Sequence, residues 1–103
     1  MCSESPFAKR LKEMRKSVGI SQKQLGIEAG IDEFSSSARM NQYEKGTHAP
    51  DFGMVSRIAE VLGVEAAYFY TLDDSLAELI LGFSALDQEQ KSVLLALNQK
   101  LKP

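Results

Sequence analysis

Cysteine is nearly absent: Cys2 is the only one in 103 residues. That excludes an internal disulfide and any multi-cysteine zinc site, and the single thiol reads as a bystander. Long apolar runs are missing too. An unbroken run such as Val93 to Leu97 is far short of the ~20 residues that span a bilayer, so no membrane partner is expected. No apolar segment follows Met1, so no secretory leader is expected and the cytoplasm is the expected location. Asn-Gly and Asp-Gly pairs do not occur, and no stretch alternates with period two, which removes the usual signs of a β-hairpin. There is no phosphate-cradling glycine loop, no metal-ligand spacing and no pair of carboxylates set for acid–base work. His48 is the only histidine and has neither a second ligand nor a nucleophile at a useful spacing. No enzyme activity, metal or cofactor is expected.

What is present fits one small domain. Apolar residues are 44% and charged residues 25%, the balance of a folded globular chain. A chain of this length buries roughly 65% of its unfolded surface, enough for one core. The net charge of −2 argues mildly against a nucleic-acid partner until it is mapped. Residues 1–50 hold eight basic against six acidic residues, a net of +2, and residues 51–103 hold four against eight, a net of −4. The front is basic and the rear acidic.

The local signals are helical almost throughout. Ser5 is expected to cap a first helix with Pro6 at its first position, and Phe7, Leu11, Met14 and Val18 recur at helical spacing. Gly19 supplies the stop, followed by apolar Ile20. Ser21 and Gln24 read as a capping box opening a second helix that carries Leu25 and ends at Gly30. The Ser35-Ser36-Ser37 run suits the N-cap of a third helix reaching Lys45 and Gly46. A loop through Pro50 follows, because the residue before proline avoids helix. Asp51 is expected to cap a fourth helix carrying Phe52, Val55, Ile58, Ala59 and Leu62, stopping at Gly63, with a brief fifth over Val64 to Tyr70. Asp73 or Asp74 suits the cap of a sixth helix with Leu76, Leu79, Ile80 and Phe83 on one face. Asp87 and Gln90 make another capping box, ahead of Val93, Leu94, Leu97 and Leu101.

Two short helices joined by a tight turn form a helix-turn-helix, whose steep crossing needs a small side chain at the contact. Gly26 is placed there. A helix-interior glycine costs ~1 kcal/mol relative to alanine, so close approach of a neighbour is a motive; a locally weak helix is the alternative.

The segments Ile20-Ser-Gln-Lys-Gln-Leu-Gly-Ile-Glu-Ala-Gly30, Asn41-Gln-Tyr-Glu-Lys-Gly46, Pro50 and Ile58-Ala-Glu-Val-Leu-Gly-Val64 together resemble the Cro/C1-type (Xre-like) helix-turn-helix. The resemblance covers residues 6–70. It implies an all-α, five-helix lambda-repressor-like bundle whose third helix reads the major groove, with about two additional C-terminal helices. Residues 1–70 are then the DNA-binding domain, and residues 71–103 a helical extension and candidate dimerisation element, with no linker between them.

The same resemblance gives Gln22 a phosphate contact at the start of the second helix, and makes Arg15 and Glu44 a structural pair joining the first helix to the third. An ordinary first-turn glutamine and two unpaired surface charges are the alternatives. Counting back from Tyr43-Glu44-Lys45-Gly46, Met40 and Tyr43 fall on the inner face. Ser37, Ala38, Asn41, Gln42 and Lys45 fall on the outer face, with Arg39 to one side. Ser37, Ala38, Arg39, Asn41 and Gln42 are the candidates for base contact: glutamine bridges adenine and arginine bridges guanine. A solvated polar face is the alternative. Lys9, Arg10, Lys23, Lys45, Thr47 and His48 are the further phosphate candidates. The chain departs from the family in the twelve residues Ile31 to Gln42, a longer spacing than the family pattern. The excess falls around Asp32-Glu33-Phe34-Ser35, where the two acids are expected to point away from DNA and Phe34 to plug the core.

The expected function is a sequence-specific DNA-binding transcriptional regulator, a repressor, bound as a homodimer to a palindromic operator in double-stranded DNA through the helix at about residues 36–45. The alternative is an antitoxin or protein-interaction module whose C-terminal helices, within residues 71–103, bind a partner protein.

Overall fold

A computed structural model describes residues 5–102; Cys2 lies outside them. The order is α1 (Phe7–Val18), α2 (Gln22–Glu28), α3 (Ser36–Lys45), α4 (Phe52–Leu62), a 3₁₀ helix (Ala66–Tyr70), α5 (Asp74–Ser84) and α6 (Gln88–Lys100), with no strand among the described residues. The all-helical expectation holds.

Capping chemistry sets most boundaries. The Phe7 N–H donates to Ser5 Oγ at 3.1 Å, but Pro6 sits half in the helix and Phe7 is its first residue. Gly19 adopts the left-handed stop at φ 85°, and the Ile20 N–H returns to the Arg15 carbonyl, as a Schellman ending requires. The Asp51 carboxylate accepts from the Met54 N–H at 2.9 Å and opens α4. Asp73, rather than Asp74, caps α5. The Asp87–Gln90 box closes in both directions, at 2.7 and 3.0 Å. The Ser21–Gln24 box closes in one only: Ser21 Oγ accepts from the Gln24 N–H, while the Gln24 amide turns to Glu28 at 2.8 Å. The expected fifth helix is a single 3₁₀ stretch, short enough for the poorer geometry of i→i+3 bonds.

The core is built by Phe7 and Leu11 of α1, Leu25 of α2, Met40 and Tyr43 of α3, and Val55, Ile58, Ala59 and Leu62 of α4. Phe69 of the 3₁₀ helix closes it, meeting the Phe7 ring edge-on at 5.3 Å. Tyr70 stacks on Phe7 at 5.9 Å, and burial pushes its phenol pKa up.

Three expected core positions are corrected. Val18 is exposed, because Gly19 ends α1 beside it. Phe52 is 73% exposed; as the first residue of α4 it precedes the buried stripe, and Met54 fills the core instead. Phe34 is 92% exposed. Its N–H donates to Asp32 Oδ2 at 3.0 Å and the Ser35 N–H to the Asp32 carbonyl. This Asx-type turn faces the inserted residues outward. Ile31 takes the core position instead.

The C-terminal helices pack differently. α5 buries only Ala77, and α6 buries nothing. Leu76, Leu79, Phe83, Leu94 and Leu95 instead line an open groove of about 500 Å³ between these helices. The Cα radius of gyration is 15.5 Å, against about 13 Å for a compact chain of this length. The molecule is a compact head with an extended arm.

Candidate nucleic-acid interface

α2 and α3 meet at the position occupied by Gly26. A Cβ added there would lie 1.9 Å from Ser36 Oγ, so only glycine permits this approach. Ser36 is fully buried, and its hydroxyl donates to the Lys23 carbonyl at 2.6 Å. The serine run thus starts α3 differently from a simple cap. Ser35 stands at the boundary without a side-chain bond, and Ser36 anchors the first turn to α2. Met40 and Tyr43 hold the inner face.

The outer face of α3 presents Ser37, Ala38, Gln42 and Lys45 to solvent, with Asn41 half-buried. Arg39 is exposed but held: its Nη2 donates to Tyr43 Oη at 2.9 Å, and its guanidinium lies 6.0 Å from that ring centre. The structure brings Arg15, Gln22, Asn41 and Glu44 together. Arg15 makes a two-pronged ion pair with Glu44 through Nε and Nη2, and its Nη1 donates to the Ile20 carbonyl at 3.0 Å. The Gln22 amide donates to Glu44 Oε1 at 3.0 Å and to Asn41 Oδ1 at 3.3 Å. A bidentate arginine–carboxylate pair fixes orientation as well as distance. Here it fixes α1 against α3, with Gln22 and Asn41 held in the same network.

Lys9, Lys23, Lys45 and His48 are exposed. Thr47 closes the end of α3, its N–H and Oγ1 both directed to the Gln42 carbonyl. Arg10 is a correction. It is 6% exposed, its Nε donates to the Thr71 carbonyl at 2.8 Å, and its Nη2 donates to Asp74 Oδ1 at 3.1 Å. A guanidinium so engaged faces the arm and not solvent, so Arg10 leaves the phosphate set.

Sequence reading missed Arg57. Its Nε donates to the Ala29 carbonyl at 2.9 Å, satisfying the end of α2. With Arg39, Gln42 and His48 it lines a polar cleft of about 530 Å³ beside α3. The available signal was an isolated arginine between the buried Val55 and Ile58 of α4. The described residues contain no group of three or more His, Cys, Asp or Glu placed to hold a metal ion, and no helix long and apolar enough to cross a membrane.

The arrangement is a polar helix face held on a helical bundle by α1 and α2. A family model described as a helix-turn-helix domain matches residues 8–75. The crystal structure of the transcriptional regulator BswR is similar at 48% sequence identity and a TM-score of 0.86, over 92% of this chain and 94% of that one. No curated protein matches the chain. The turn between α2 and α3 thus lies inside a match spanning most of the head, and the chain belongs to the helix-turn-helix domain family.

Proposed function

We propose that the chain is a sequence-specific DNA-binding transcriptional regulator of the Cro/C1 type, a cytoplasmic repressor that reads a palindromic operator as a homodimer. The observation that carries this reading is the outward polar face of α3, clamped by the Gly26–Ser36 contact on one side and the Arg15–Glu44–Gln22 network on the other. Pre-set donors and acceptors on a helix are what major-groove readout needs. Similarity to a transcriptional regulator over nearly the whole of both chains supports the same role.

Ser37, Ala38, Arg39, Asn41 and Gln42 read bases in this proposal. Gln22, Lys23, Lys45, Thr47 and His48 meet phosphates, joined by Arg57 and Lys9. The head, residues 1–70, binds DNA, and residues 71–103 pair two chains. Support for pairing comes from area. The accessible surface is 6990 Å², about 1,200 Å² above the value of about 5,800 Å² for a folded monomer of this size. A standard interface covers about 800 Å² per partner. The exposed apolar side chains of the arm, Leu76, Leu79, Val93, Leu95, Leu97 and Leu101 among them, supply such a surface. No catalytic role is assigned.

Selection of bound fragments from random double-stranded DNA tests the function. A recovered palindrome is the expected result. Absence of any enrichment, with a small protein co-purifying through the arm, would replace this reading by a protein-interaction module of the antitoxin kind, which the same apolar surface also suits.

A further inference from the structure

Arm and head are joined by Thr71-Leu72-Asp73, between the 3₁₀ helix and α5. The apolar contact that seats α5 is small: Ala77 is buried, with Ile80 and Leu81 packed partly against the core. Apolar contact is non-directional, so by itself it lets a helix roll. Thr71 and Asp73 bond to each other and Asp73 caps α5, but among the described residues the side-chain bonds that tie the head to this joint come from one residue. Arg10 Nε donates to the Thr71 carbonyl at 2.8 Å, and Nη2 donates to Asp74 Oδ1 at 3.1 Å. The two bonds straddle the connection. The guanidinium also lies 5.5 Å from the centre of the Tyr68 ring.

We propose that Arg10 is a positioning residue that sets the angle at which the arm leaves the head, and so the separation of the two α3 helices in a dimer. The proposal rests on the dimer reading above. Its energetic logic is that such a pair adds little stability. Burying a guanidinium carries a desolvation penalty that its partner often only balances, and Asp74 is 87% exposed, so the attraction is screened. Direction is what the two bonds add. α1 carries that direction onward, because Arg10 holds the arm and Arg15, about 7.5 Å further along the same helix, holds Glu44 of α3. The helix is a strut between the pairing surface and the reading surface.

Distance measurement between spin labels tests this without knowledge of the operator. A nitroxide at Glu28→Cys, on exposed α2, in a Cys2→Ser background gives one inter-subunit distance per dimer. The wild-type joint gives a single narrow distribution. Arg10→Met keeps much of the stem packing and removes both bonds; it still sediments as a dimer, with the distribution at least twice as wide. Asp74→Ala, which removes one of the two bonds, widens it less. A purely stabilising role for Arg10 lowers the melting temperature and leaves the width alone, and a narrow distribution in a folded Arg10→Met dimer overturns the proposal. Should Arg10→Met not fold, Asp74→Ala decides, because it removes the acceptor of one bond and its exposed side chain is outside the core: an unchanged width there overturns it equally. No dipolar coupling in the wild-type joint, together with the mass of one chain, refutes the dimer reading and the proposal with it; coupling with unchanged width refutes the proposal alone.

Discussion

A methyl group at position 26 has nowhere to go, because Ser36 Oγ would lie 1.9 Å away and the Ser36 carbonyl oxygen 3.3 Å away. Gly26→Ala therefore pushes α3 off α2 and destabilises the fold by about 1–3 kcal/mol, the usual cost of overpacking. Urea unfolding measures the loss, and Ser36→Ala in the same chain recovers part of it by removing the nearest atom. Phe34 stands at the other extreme. With 92% of it exposed, Phe34→Ser changes stability by no more than about 0.5 kcal/mol, whereas Ile31→Ala costs about 2–5 kcal/mol. The reversal of those two residues was not legible from hydrophobicity, which ranks phenylalanine as the better plug. It turns on an Asp32 carboxylate accepting a backbone N–H two residues on.

Among the elements, helix boundaries were the most legible feature, since Gly19, Gly30, Gly46 and Gly63 all adopt the positive φ that a helix stop demands. The inner and outer faces of α3 followed from 100° geometry alone, once the helix was anchored at its glycine. What stayed hidden was the destination of long side chains. Arg10 and Lys9 are adjacent and both basic, yet one is buried against the 3₁₀ helix and the other is exposed. A local pattern does not contain a partner 61 residues away. The difference is measurable through counterion release: Lys45→Ala should lower the slope of log affinity against log salt by about 1.8, as expected for one lost phosphate contact from each chain of the dimer. Arg10→Met should leave the slope unchanged, and an equal change in both would restore Arg10 to the phosphate set. The amphipathic pattern of α5 and α6 was equally legible, but its meaning was not. Periodicity reports an apolar face without saying whether the chain's own core or another molecule covers it, and here its own core covers little.

The whole molecule divides its charge along the chain. The front half is net positive and holds α1 to α3, and the rear half is net negative and holds α5 and α6. An overall charge of −2 therefore sets an orientation toward phosphate rather than excluding it. The apolar arm predicts association: sedimentation equilibrium at high micromolar concentration should give twice the chain mass, and Leu97→Glu, on the exposed face of α6, should return it to one chain with the head still folded. A single-chain mass for the unmodified protein would contradict pairing through the arm. The reading role of α3 is tested most directly by comparing Gln42→Ala with the unmodified protein on a selected operator and on random duplex. One lost base contact in each half-site weakens operator binding about 30- to 20,000-fold, the equivalent of about 2–6 kcal/mol, and leaves random-sequence binding unchanged. Equal losses on both duplexes would show that Gln42 reads no base.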